Sequence, residues 1–138
     1  MRGDGTVTNG KIDDLPTGSE TVLLVEDDVA LRQVMVRVLP RLGYTVIEAK
    51  NGSAAMDILA SNDVDLLLTD VVMPGDISGP DLARRALKQY AGIKVVLATG
   101  YADDMISEIA DLRRNAVLLR KPFRREELAR VLRQALDG

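Results

Sequence analysis

The sequence predicts an α/β fold, a five-stranded parallel sheet with five helices distributed over both faces. Five short apolar runs carry that prediction, at 21–26, 44–49, 64–69, 93–98 and 116–119, each followed by a segment of helical length. Two of the runs, Val22-Leu23-Leu24-Val25 and Leu66-Leu67-Leu68, are unbroken apolar stretches, as expected of strands buried on both faces.

Residues 1–19 differ from the rest of the chain. They hold four of the eleven glycines, one proline and no aromatic residue, too little apolar surface to offset the entropy of ordering. They read as a flexible tail or linker, with an edge strand around Lys11 to Leu15 as the alternative, and the folded domain is expected over 20–138. The first helix is marked by Leu31, Val34, Met35, Val38 and Leu42 at helical spacing. Pro40 falls inside that stripe, where it lacks a donor and crowds the carbonyl of Val36, so the last turn before Gly43 is expected to kink or fray. Leu128, Val131, Leu132 and Ala135 mark the last helix. Between the fourth and fifth strands the stripe is thin (Met105, Ile109, Leu112), and this segment is expected to be loosely held.

At 138 residues the chain suits one domain. With 46% hydrophobic and 28% charged residues its composition is that of a globular protein, and a net charge of −3 offers no general basic field for nucleic acid. No apolar run reaches the length of a membrane span and the start lacks a signal-peptide core, so a cytoplasmic location without membrane contact is expected. Cysteine is absent, which removes disulfides, thiolate metal sites and thiol nucleophiles. Histidine is absent as well. No Ser-His-Asp triad can form, and no imidazole can act as base or carry phosphate.

In an open α/β sheet, ligands bind beyond the carboxyl ends of the strands. The residues there are Glu26-Asp27-Asp28 after the first strand, Asp70 after the third, Thr99-Gly100-Tyr101 after the fourth and Lys121-Pro122-Phe123 after the fifth. Carboxylates gathered at one rim repel unless a cation joins them, and oxygen ligands suit a hard ion such as Mg²⁺. A lysine opposite can stabilise developing phosphate charge, a threonine hydroxyl can donate to a phosphoryl oxygen, and Asp70 becomes the carboxylate nucleophile of an acyl phosphate. Each residue also has a plainer reading. Asp28 can serve as the N-cap of the next helix, Lys-Pro is ordinary turn chemistry, and a lone threonine carries no message. Their conjunction at four strand ends is what favours the site.

The pattern resembles the receiver domain of two-component response regulators over roughly residues 20–137. The matching residues are Val25-Glu26-Asp27-Asp28, Asp70-Val71-Val72-Met73-Pro74 with Gly79 after them, Ala98-Thr99-Gly100, and Lys121-Pro122-Phe123. The resemblance implies a flavodoxin-like (βα)5 receiver fold and a non-enzymatic phosphoacceptor role, with phosphate supplied by a sensor histidine kinase or a histidine phosphotransfer protein. It implies Asp27 as a direct Mg²⁺ ligand with Glu26 assisting, often through water. Asp70 would be both phosphoacceptor and metal ligand, and the backbone carbonyl of Val72 a further ligand. Thr99 and Lys121 would contact the phosphoryl group.

Three departures qualify this. Leu118 stands where many receivers have an aromatic residue, three positions before the lysine, and Tyr101 is the substitute or else a packing residue. The loop from Met73 to Pro80 is one residue longer than usual and, with Leu97-Ala98-Thr99-Gly100-Tyr101, is similar to receivers attached to hybrid sensor kinases. No output domain follows the last helix, so output is expected to act through another chain or a removed part of this one. A stand-alone receiver and one excised from a hybrid kinase fit equally, as do monomer and homodimer. A haloacid-dehalogenase-type phosphohydrolase is disfavoured, since Glu26-Asp27-Asp28 lacks its Asp-x-Asp motif and the length leaves no room for a cap. Nucleotide-binding glycine motifs are absent.

Overall fold

A computed structural model describes residues 15–100 and 107–138. In chain order the elements are β1 (Thr21–Val25), α1 (Val29–Arg41), β2 (Thr45–Ala49), α2 (Gly52–Ser61), β3 (Leu66–Asp70), α3 (Gly79–Gln89), β4 (Lys94–Thr99), β5 (Ala116–Arg120) and α4 (Arg125–Asp137). All strand pairs are parallel, in the order β2-β1-β3-β4-β5. The chain first steps outward from β1 to β2, then returns to place β3 on the other side of β1. That reversal opens a crevice beyond the ends of β1 and β3, the usual ligand position in such sheets.

Strand periodicity divides the core. Val22 and Leu24 of β1 face one cluster with Leu66 and Leu68 of β3, Met35 and Leu39 of α1, and Leu128 and Leu132 of α4. Leu23, Val25 and Leu67 point the other way, to Leu59 of α2 and Leu82 and Ala83 of α3. Leu23, Leu24, Leu66, Leu67 and Leu68 are all fully buried, each contributing about 1.5–3 kcal/mol relative to exposure. The central strands therefore have little freedom to slip, and the loops at their ends inherit that rigidity.

The expected strand runs hold with shifted edges: Glu26, Tyr44 and Val64 lie outside the strands, and β3 extends to Asp70. Among the described residues there are four α-helices. In the place of a fifth, between β4 and β5, stands a 3₁₀ turn at Ala110–Leu112, while residues 101–106 lie outside the described residues. Of the thin stripe, Ile109 and Leu112 are buried in the second cluster, and Met105 lies outside the described residues. Pro40 does not break α1. The helix runs to Arg41 and closes where Tyr44 N–H donates to the Leu39 carbonyl (3.1 Å) and Gly43 N–H to that of Pro40 (2.9 Å). Gly43 takes φ +100°, the left-handed position that this Schellman closure requires. Most of the proposed tail lies outside the described residues. Of its final residues, Leu15 packs against the first cluster and Gly18 bonds to Leu42. No described helix is long and apolar enough to cross a membrane.

Candidate functional site

The end of β1 separates its three acidic residues by role. Asp28 caps α1, its Oδ1 accepting from Leu31 N–H at 3.1 Å, as its plainer reading proposed. Glu26 turns inward and is buried; its Oε2 accepts from Asp28 N–H at 3.1 Å and its Oε1 stands 3.1 Å from Lys121 Nζ. Asp27 remains exposed on the rim of the crevice.

Asp70 closes β3 and is only 4% exposed. Beneath it Thr69 donates from its hydroxyl to the Asp70 carbonyl (3.2 Å). Gly79, at the start of α3, abuts the same carbonyl so closely that a Cβ there would overlap it. Ser78 Oγ accepts from Asp81 N–H (3.2 Å) and caps α3, fixing the loop that follows Asp70. The backbone around Asp70 is thus held from two sides.

Thr99 ends β4, buried, in register opposite Arg120 of β5. Its carbonyl accepts from Lys121 N–H at 2.9 Å, which sets the lysine at the crevice. Lys121 Nζ then lies 2.6 Å from Asp70 Oδ1. The distance is that of an ion pair, but the approach lacks hydrogen-bond geometry, and Asp70 Oδ1 is left buried without a hydrogen-bond partner. The crevice measures about 680 Å³; Val72, Gly100 and Phe123 also line it.

One ammonium here serves two buried carboxylates. Burial, then the neighbouring Glu26, push the Asp70 carboxyl up to about 8 against the opposing effect of Lys121. Burial alone would lower the Lys121 ammonium, but Asp70 and Glu26 reverse this and raise it. The two shifts pull in different senses for a simple Asp70–Lys121 pair. They are compatible because Glu26 gives Lys121 a second anionic neighbour.

Oxygen atoms of Glu26, Asp27 and Asp70 lie within 4.8 Å of one another. An all-oxygen donor set with an unsatisfied buried oxygen, Asp70 Oδ1, suits a hard divalent cation. The structure therefore brings Glu26, Asp27, Asp70, Thr99 and Lys121 together, with Val72 on the crevice wall. Tyr101 lies outside the described residues. Leu118 is half-buried against the second cluster. Arg32 has no place in the sequence pattern, yet its Nη1 donates to the Glu26 carbonyl at 2.6 Å and its Nε pairs with Glu48. The only local hint is a basic residue one turn into the helix that follows the acidic cluster.

Fold and crevice together define a doubly wound, flavodoxin-like α/β domain with an acidic, cation-compatible site at its switch point. A model of the response regulator receiver domain matches residues 22–133, and the chain belongs to that family. It is 40% identical over 123 residues to the sensor kinase CckA of Brucella abortus, spanning 88% of this chain and 13% of that protein. It is 36% identical over 115 residues to the response regulator receiver protein CpdR of the same organism, covering 83% of this chain and 95% of CpdR. The response regulator TrrA of Thermotoga maritima, solved in complex with Mg²⁺-BeF, superposes with a TM-score of 0.75 at 28% identity, over 85% of this chain and 99% of that one.

Proposed function

We propose that this receiver domain accepts a phosphoryl group on Asp70 from the phosphohistidine of a sensor histidine kinase or histidine phosphotransfer protein, and that phosphorylation alters the surface a partner reads. The observation that carries this reading is Asp70 Oδ1, buried at the crevice floor, unsatisfied, and 2.6 Å from Lys121. Asp27, Asp70 and the Val72 carbonyl would hold Mg²⁺, with Glu26 assisting. Both Glu26 oxygens are already engaged, by Lys121 and by Asp28 N–H, which favours an indirect part for it. Bound there, the ion supplies positive charge to the crowded carboxylates and the phosphoryl oxygens.

The Asp70 carboxylate attacks phosphorus as the P–N bond of phosphohistidine breaks, giving an acyl phosphate and a free imidazole. Lys121 neutralises charge on the transferred group, and the Thr99 hydroxyl donates to it. These 138 residues contain no histidine, so the phosphodonor lies outside them, on a partner, on another part of a longer chain or on a small molecule. The domain acts as a signalling module and not as a turnover enzyme. The likeness to CckA supports its being the receiver of a hybrid kinase, whereas the 95% coverage of CpdR supports a single-domain regulator. Intact-mass spectrometry after acetyl phosphate and Mg²⁺ tests the site. One phosphoryl adduct that disappears in Asp70→Asn is expected; an adduct retained on that variant refutes the assignment.

A further inference from the structure

The chain approaches β1 along an unusually close path. Gly18 N–H donates to the Leu42 carbonyl (3.0 Å), and Thr45 N–H donates to the Glu20 carbonyl (3.0 Å). A Cβ on Gly43 would overlap the Gly18 carbonyl oxygen, and one on Gly18 would overlap the Arg133 guanidinium and the Tyr44 ring. Gly43 is therefore needed where the two backbones meet, whereas a side chain at Gly18 would displace the Arg133 guanidinium from its partners. Over this contact lies Arg133 of α4, whose Nη1 donates to Glu20 Oε1 at 2.8 Å and to the Tyr44 hydroxyl at 3.4 Å. Its Nη2 pairs with Asp137. The Arg133 and Glu20 side chains are only 22% and 29% exposed, so this pair is less screened than an ordinary surface one.

We propose that residues 15–20 form a strap docked between the α1–β2 turn and the last turns of α4, with Arg133 as its clasp. Residues 15–20 are then held at a fixed place beside α4 instead of swinging from the start of β1. α4 begins just beyond Lys121-Pro122-Phe123 and, at 13 residues, forms a rod of about 20 Å. The docking itself does not depend on the phosphoacceptor reading.

Amide hydrogen exchange at Gly18, measured by NMR on the full chain, tests this. In the wild type the Gly18 amide is expected to be protected. Arg133→Gln should accelerate its exchange by about tenfold or more, the scale of losing a hydrogen bond to a charged group, and Gly18→Val should do the same at the Thr45 amide, which donates to the Glu20 carbonyl. Amides of Leu67 and Leu68 report whether the sheet stays intact. Arg133→Lys, which keeps the charge without the fork, should fall between wild type and Arg133→Gln. If Gly18→Val unfolds the domain, the two Arg133 variants decide. Gly18 exchanging at the free-peptide rate in the wild type, or at the wild-type rate in Arg133→Gln, overturns the proposal.

Discussion

Lys121 Nζ stands 2.6 Å from Asp70 Oδ1, yet the pairing does not keep the Asp70 carboxyl in the ordinary acidic range. Burial and Glu26 outweigh the lysine, so the metal-free site is held under electrostatic stress. A cation, or removal of a buried carboxylate charge, relieves it.

Asp70→Asn should therefore do two things: abolish phosphorylation and raise stability in metal-free buffer. The Asp70 carboxyl moves from 3.8 when unfolded to about 8 when folded. Between those values the folded state binds the extra proton, so its stability falls as pH rises through the window. The advantage of the Asn variant should be small at acid pH and grow toward the alkaline end, as read by urea denaturation with a chelator present. An advantage independent of pH would contradict the stress.

Lys121→Met should act in the opposite direction. It leaves Glu26 and Asp70 buried without their ammonium, and removing one member of a buried pair is costly. Thermal stability without metal should drop, and Mg²⁺ should restore much of it. No recovery with Mg²⁺ would mean that the carboxylates do not form the cation site.

Asp27→Ala should weaken Mg²⁺ binding by about tenfold or more, the scale of losing a charged ligand interaction. Asp27 is exposed, so metal-free stability should change by no more than about 0.5 kcal/mol, as for most surface substitutions. Titration calorimetry and a chelated melting curve separate the two effects. Unchanged Mg²⁺ affinity would exclude Asp27 as a ligand.

Much of this arrangement is legible in the sequence because strand-end chemistry survives small errors in strand boundaries. Asp70, Thr99 and Lys121 follow apolar runs strong enough to locate the crevice, even though the runs also take in Glu26, Tyr44 and Val64, which lie outside the strands. The capping by Asp28 is legible, but the inward turn of Glu26 is not, since nothing in the sequence tells which of the two remaining acids is buried beside Lys121 and which stays on the rim. Nor is the closure at Pro40. Proline predicts a lost bond, while the repair depends on Gly43 at positive φ and on Tyr44 reaching Leu39. The weight of Ile109 and Leu112 escapes the pattern because a short 3₁₀ turn shows no helical period.

That turn carries the last prediction. Arg84 of α3 reaches across to it, with Nε and Nη2 each 2.9 Å from the Asp111 carboxylate and Nη2 also donating to the Glu108 carbonyl. Asp81, one turn earlier on α3, orients the same guanidinium at 2.8 Å. The pairs are exposed, so each alone is weak, but a forked contact backed by buried Ile109 and Leu112 ties the turn to the helix that abuts Asp70. Order in this turn rests on the Arg84 tie and on that packing. Arg84→Gln should raise exchange at the Leu112 amide, which donates to Ile109, by roughly two- to fivefold. Beryllofluoride with Mg²⁺ should change exchange there less than that substitution does, because the turn is already packed without it. Acetyl phosphate labelling of Asp70 should persist in the variant. Unchanged exchange at Leu112 in Arg84→Gln would leave packing alone as the support of the turn.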